Sequence, residues 1–177
     1  MTNAWGGGAA ASPTSFGAWA SGFKGQTYYR AYAQGDDLYF VTYPAQSKLQ
    51  LVLMQFGLLG ALLWLLFKKG FEQKTAALLA SYDRTPPAEL VARDKHNFVA
   101  TLARLAEQVV EPAGFFKRGA AAAQWQFTHP ERGKMALHLS TPADVEALLG
   151  LLARAPGVRA DVRLRWDDAK KKYVALT

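Results

Sequence analysis

The stretch LQLVLMQFGLLGALLWLLF, residues 49 to 67, constrains this chain more than any other part of it. It lies between Lys48 and the pair Lys68 and Lys69, carries no charge, and has Gln50 and Gln55 as its uncharged polar breaks. As a helix its length is about 28 Å, close to the roughly 30 Å hydrocarbon core of a bilayer. The run is too long, and too rich in Leu, Met and Ala, for a strand. Apolar side chains would surround such a helix, leaving it no face to turn to water. The expectation is a long hydrophobic, membrane-embedded helix containing Leu49, Phe56, Gly57, Gly60, Trp64 and Phe67, with Lys48, Lys68 and Lys69 as its interfacial residues. A helix fully buried in a soluble domain is the alternative. Gly57 and Gly60 would allow a bend or close helix packing. Arg30 and Lys48 precede the run, whereas Lys68, Lys69, Lys74 and Arg84 follow it. That excess places the C-terminal part in the cytoplasm, beneath an inner or cytoplasmic membrane.

The rest of the composition narrows the function. The chain has no cysteine, which excludes disulfides, thiolate metal sites and a cysteine nucleophile. Its formal charge of +7 suits anionic partners. Residues 1–25 are rich in Gly, Ala and Ser and lack a basic segment followed by a continuous apolar one, so they read as a flexible tail rather than a signal peptide. Trp5, Phe16, Trp19 and Phe23 stand out within that tail as aromatics able to dock on a surface.

Periodicity organises the remainder. Residues 26–44 form a hairpin in which Tyr-rich strands flank a Gly35-Asp36 turn. After the membrane helix, residues 68–84 continue as a juxtamembrane helix, and residues 85–177 form an α+β domain. Within it HNFVA and EQVVEP are extended, and AQWQFTH and KMALHLS flank the PERG turn. Pairing these two about that turn sets Trp125 opposite Leu139 and Phe127 opposite Leu137. TPADVEALLGLLA is a helix capped by Thr141, with Pro142 in its first turn and Val145, Leu148, Leu149 and Leu152 as its apolar stripe. VRADVRLRW alternates, with Val162, Leu164 and Trp166 inward and Arg159, Arg163 and Arg165 outward. The fold class is therefore α+β: an antiparallel sheet with one packed C-terminal helix, plus the hydrophobic helix.

The succession HNFVA, EQVVEP, AQWQFTH, KMALHLS and TPADVEALLGLLA resembles the three-strand-and-helix ending of pleckstrin-homology-like domains found in bacterial membrane proteins. The resemblance spans residues 96–154, with the Tyr-rich hairpin as the first two strands. It implies a non-enzymatic module serving a membrane protein.

No catalytic constellation is legible. His129 and His138 occupy positions of opposite parity on one hairpin and face opposite sides of it, which argues against a shared metal. Asp36-Asp37 and Asp167-Asp168 are turn formers. No nucleotide-binding glycine motif is present, so no cofactor is expected. The expected function is a membrane-anchored, non-enzymatic accessory or scaffold protein with a small cytoplasmic interaction domain. Its partners would be membrane lipid and a membrane or cytoplasmic protein. The alternative is a soluble or peripheral binder of anionic lipid or nucleic acid, with nucleic acid the less expected of the two. Arg159, Arg163, Arg165, Lys170, Lys171 and Lys172 on the last hairpin form the candidate anion-binding patch.

Overall fold

The computed structural model describes residues 14–22, 25–43, 57–114 and 121–176, with backbone alone over 57–65. Three strands open it: β1 (Ser15–Gly22), β2 (Gly25–Gln34) and β3 (Asp37–Tyr43). β2 and β3 meet at Gln34↔Asp37, and Gly35 supplies the left-handed φ of +62° that their turn needs. Helices α1 (Gly57–Tyr82) and α2 (Pro87–Ala92) follow, then β4 (Phe98–Thr101), β5 (Ala106–Pro112), β6 (Ala123–His129) and β7 (Gly133–Leu139). Helix α3 (Pro142–Arg154) leads to β8 (Ala160–Val162) and to a hairpin of β9 (Leu164–Asp167) and β10 (Lys172–Ala175).

Eight strands make one sheet in the order β4-β3-β2-β1-β7-β6-β5-β8, antiparallel except for the β5–β8 pair. β4 and β5 lie six places apart in that order, yet only the turn around Leu102–Arg104 joins them. So short a link forces the sheet to curl until its ends approach. The Gln108 amide holds this link by donating to the carbonyls of Leu102 and Leu105 at 3.0 and 3.2 Å. Glu107 takes a positive φ of 52° where the β5–β6 register shifts, a bulge that sharpens the bend.

Side chains complete the closure where the edge of β4 lacks a neighbouring strand. His129 Nε2 donates to the Val99 carbonyl at 3.1 Å, and its Nδ1 accepts the amides of Glu131 and Arg132 at 3.1 and 3.3 Å. The Arg132 guanidinium donates to the Asn97 carbonyl at 3.2 Å and lies over the Phe98 ring at 4.4 Å. The concave side holds the core, where Phe40 stacks on Phe98 at 4.5 Å and meets Trp125 at 6.5 Å. Phe16, Leu38, Trp125, Leu137 and Leu139 are fully enclosed. Val145, Leu148, Leu151 and Leu152 of α3 seal the same core. Burial of each such side chain stabilises by about 1.5–3 kcal/mol.

The structure corrects several expectations. Among the described residues no helix is long and apolar enough to cross a membrane. Leu49, Phe56 and Lys48 lie outside the described residues, and the helix that contains Gly57, Gly60, Trp64 and Phe67 runs on without a break through Lys68, Lys69, Glu72 and Lys74 to Tyr82. The described charge-free part of it, 57–67, is about 16 Å long, roughly half a hydrocarbon core. The separate juxtamembrane helix thus merges with it. A single crossing by 49–67 also conflicts with the sheet: β3 before it and β4 after it are hydrogen-bonded neighbours, Phe40↔Phe98, and belong to one body. The predicted α+β domain with an embedded helix is instead a large mixed sheet with three helices among the described residues, and residues 26–44 and 85–177 share it.

Two smaller differences have local causes. Ser15–Gly22, inside the segment that composition assigns to a tail, is a central strand. Phe16 and Ala18 face the core, and small residues between the aromatics let β2 and α3 approach closely. The β6–β7 register is Trp125↔Leu137 and Phe127↔Met135, two residues from the pairing about PERG, because the strands extend to His129↔Gly133. A slip of two preserves the face of every side chain, so the apolar face is unchanged.

Candidate anion-binding cleft

The candidate site is assembled by the way α3 and the last hairpin attach to the sheet. β1 and β7 pair only at Trp19↔His138 and Ala20↔Leu137, because the chain leaves β7 at Ser140 to start α3. Asp144 replaces the missing strand. Its Oδ1 accepts the Gly17 amide at 2.6 Å, while Oδ2 accepts the Thr141 hydroxyl at 2.6 Å and the Thr141 amide at 3.2 Å in a reciprocal capping box. At the far end Gly157, with a φ of +75°, turns the chain onto β5. The Arg163 amide then donates to the Val110 carbonyl at 2.8 Å, and Leu164 and Tyr173 anchor β9–β10 in the core.

This attachment leaves a cleft between the hairpin and the ends of β5 and β6. A cavity of about 340 Å³ is bounded by Pro112, Ala113, Ala121, Ala122, Tyr173 and the lysines Lys170 and Lys172. A second, of about 200 Å³, adjoins it at Ala121, Ala122, Lys172 and Tyr173 and adds Ser140, Pro142, Trp166 and Lys171. The wall is small and apolar and the rim is cationic. Burial, and secondarily Glu146, raise the Tyr173 pKa above its ordinary value, so the phenol is neutral in the cleft at neutral pH.

Of the six cations read as one patch, the cleft gathers three, Lys170, Lys171 and Lys172. Carboxylates of β8 and the hairpin engage half of the six. Arg163 Nε donates to Asp161 at 2.6 Å, Lys170 lies 3.4 Å from Asp167 and Lys171 lies 3.7 Å from Asp168. The Lys170 amide, chiefly, holds the Asp167 carboxyl below the usual range, and Asp161 raises the Arg163 pKa. Arg159, Arg165 and Lys172 are exposed. Strand alternation does not run on through the segment as expected: it breaks at Arg163 between β8 and β9, leaving Val162 and Trp166 each 36% exposed. Trp166 packs edge-on to Tyr173 at 5.2 Å, and its indole donates to Asp168 at 3.1 Å. The cleft wall was not evident from the sequence. Its one local trace is the pair Ala121 and Ala122, where larger side chains would fill the space.

The other candidates separate. His129 lies on the core side of β6, and His138 lies on the outer face of β7, its ring tilted against Trp19 at 4.2 Å. Among the described residues no group of three or more His, Asp or Glu could hold a metal ion. Lys68 and Lys69 are exposed on α1, with Lys68 3.8 Å from Glu72. Chemically the cleft offers Coulombic attraction beside an apolar wall, and among the described residues its lining includes no imidazole or carboxylate to act as general base. Comparison with family models, with curated proteins and with solved structures finds no match to this chain.

Proposed function

We propose that this protein is a non-enzymatic, pleckstrin-homology-like interaction module that docks peripherally on anionic lipid surfaces through the cleft beside its last hairpin. The observation that carries this reading is the run Lys170–Lys172 on the rim of an apolar-walled cleft. The order of the strands supports the class: two antiparallel meanders meet at β1–β7, and a helix follows β7 to seal the core. Lipid is favoured over nucleic acid by charge. With Asp161, Asp167 and Asp168 engaging three of the six cations, little remains for a phosphate track of six or more contacts. A charged bilayer needs fewer, since each basic residue near it contributes about 1 kcal/mol.

The test uses the whole chain, because residues 85–177 alone would lack three strands of the sheet. Binding to vesicles containing anionic lipid is measured against salt, with neutral vesicles and duplex DNA as comparisons. Replacing Lys170, Lys171 and Lys172 by Gln should weaken binding to anionic vesicles about tenfold, an estimate discounted for the two lysines already paired. Equal binding to neutral vesicles, tighter binding to DNA, or an unaffected triple variant would each refute the reading.

A further inference from the structure

Among its described side chains, helix α1 meets the body at its C-terminal end. Tyr82 packs beside the buried cluster of Tyr32, Val41 and Leu90, and the next residue, Asp83, accepts the Tyr32 hydroxyl at 2.8 Å and lies 4.0 Å from Arg30. Residues 66–70 are all exposed. Five consecutive residues exceed one helical turn, so no face of α1 is covered there. Leu66 and Phe67 are 68% and 57% exposed at this turn, about 22 Å along the helix from Tyr82. They directly precede Lys68 and Lys69, and Lys74 follows one turn later with Glu72 as the carboxylate between.

We infer that the free part of α1 is a second contact with the lipid surface, in which Leu66 and Phe67 enter the interfacial layer while Lys68 and Lys69 meet anionic headgroups, without the helix crossing the bilayer. This rests on the lipid-surface reading of the cleft and names a separate element for it. A groove on a protein would cover one stripe of a helix, whereas this turn is bare on every side, and a fluid apolar layer can surround it. The charge agrees: cations immediately follow the apolar pair, the combination that favours an anionic interface. Nucleic acid would have no use for the exposed Leu and Phe. The pairing of β3 with β4 requires the chain to return to the same body, which suits shallow contact and not passage.

The chain has no cysteine, and a side chain at Gly70 would meet nothing within 4 Å, so Gly70→Cys carries a single polarity-sensitive label without disturbing the fold. Anionic vesicles should shift its emission to the blue, and a headgroup-level quencher should quench it more than one at the bilayer centre. Replacing Leu66 and Phe67 together by Ser should weaken vesicle binding by about tenfold or more, with an unchanged circular dichroism spectrum, since both side chains are exposed. The two contacts fail separately. If the Lys170–Lys172 variant still shifts the label while the serine variant loses binding, the α1 contact stands and the cleft reading falls. If the serine variant binds like the parent and the label does not shift, the α1 contact is overturned whatever the cleft does. Lipid-free sedimentation showing an oligomer that the serine variant dissolves would overturn it too, with a second copy as the occupant.

Discussion

Replacing Asp144 by Ala should be the most damaging single change at a side chain that is not part of the apolar core. Asp144 joins three pieces of backbone that no regular ladder joins: the Gly17 amide of β1, the Thr141 amide and hydroxyl before α3, and its own place in the first turn of that helix. The Gly17 bond, made to a charged acceptor at a partly buried site, accounts for about 1.5–3 kcal/mol, and loss of the capping box adds about 1 kcal/mol. These terms share one carboxylate and do not sum fully, so the expected loss is about 3 kcal/mol. Asp144→Asn keeps one oxygen acceptor and should lose about half as much. Urea unfolding followed by tryptophan fluorescence measures both, at an unchanged dependence on denaturant. A loss under about 1 kcal/mol in the Ala variant, or equal losses in Ala and Asn, would show that water or a neighbouring group satisfies Gly17 and that β1 does not depend on α3. Thr141→Ala combined with Asp144→Ala should destabilise by clearly less than the sum of the two single changes.

Two further expectations concern the opposite edge and the outer face. His129→Ala removes the donor to Val99 and the acceptor for two turn amides, and should cost about 2–3 kcal/mol, with faster amide exchange along β4 and in the 130–132 turn than elsewhere in the sheet. Burial, chiefly, then the bond to Asp83, raises the Tyr32 pKa above the ordinary tyrosine value. In the unfolded chain Tyr32 loses its proton near pH 10 while the folded chain retains it, so stability is complete below that pH and falls as the pH rises beyond it. Tyr32→Phe should flatten the decline in stability between pH 9 and 11, in part only because burial also raises Tyr29 and Tyr43. An unchanged slope in denaturation midpoints across that range would contradict the assignment.

What could be read from residues alone followed the strength of local pattern. Trp125 and Phe127 alternate with polar neighbours, and Thr141, Pro142 and the Val145–Leu148–Leu152 stripe mark a capped helix, so β6, β7 and α3 were legible. β1 was not, because the small residues around Phe16 and Trp19 (Ser15, Gly17, Ala18, Ala20, Ser21 and Gly22) look like linker until the close approach of α3 at Gly17 gives them a reason. The apolar run at 49–67 misled for a different cause. Its length was counted without the tertiary fact that β3 and β4 pair, which binds both of its flanks to one body. The lysines of the cleft were visible as charge. Their partial neutralisation depends on the turn geometry that brings Asp167 and Asp168 within reach, and the wall depends on Ala121, Pro142 and Tyr173, far apart in the chain.

The pairing of β3 with β4 has a kinetic side. In a simple meander these neighbours would be joined by a two-residue turn, as β2 and β3 are; here residues 44–97 intervene. Loop-closure entropy grows only logarithmically, so the excursion adds about 3 kcal/mol to forming this one seam. The β1–β2–β3 and β5–β6–β7 meanders each assemble from local contacts, whereas β4 must wait for the longer search. The seam that carries α1 is therefore the last to zip and the first to part. Any force applied to the exposed Leu66–Gly70 turn of that helix reaches the sheet through the Tyr82–Asp83 contact with β2, beside the seam that yields most readily.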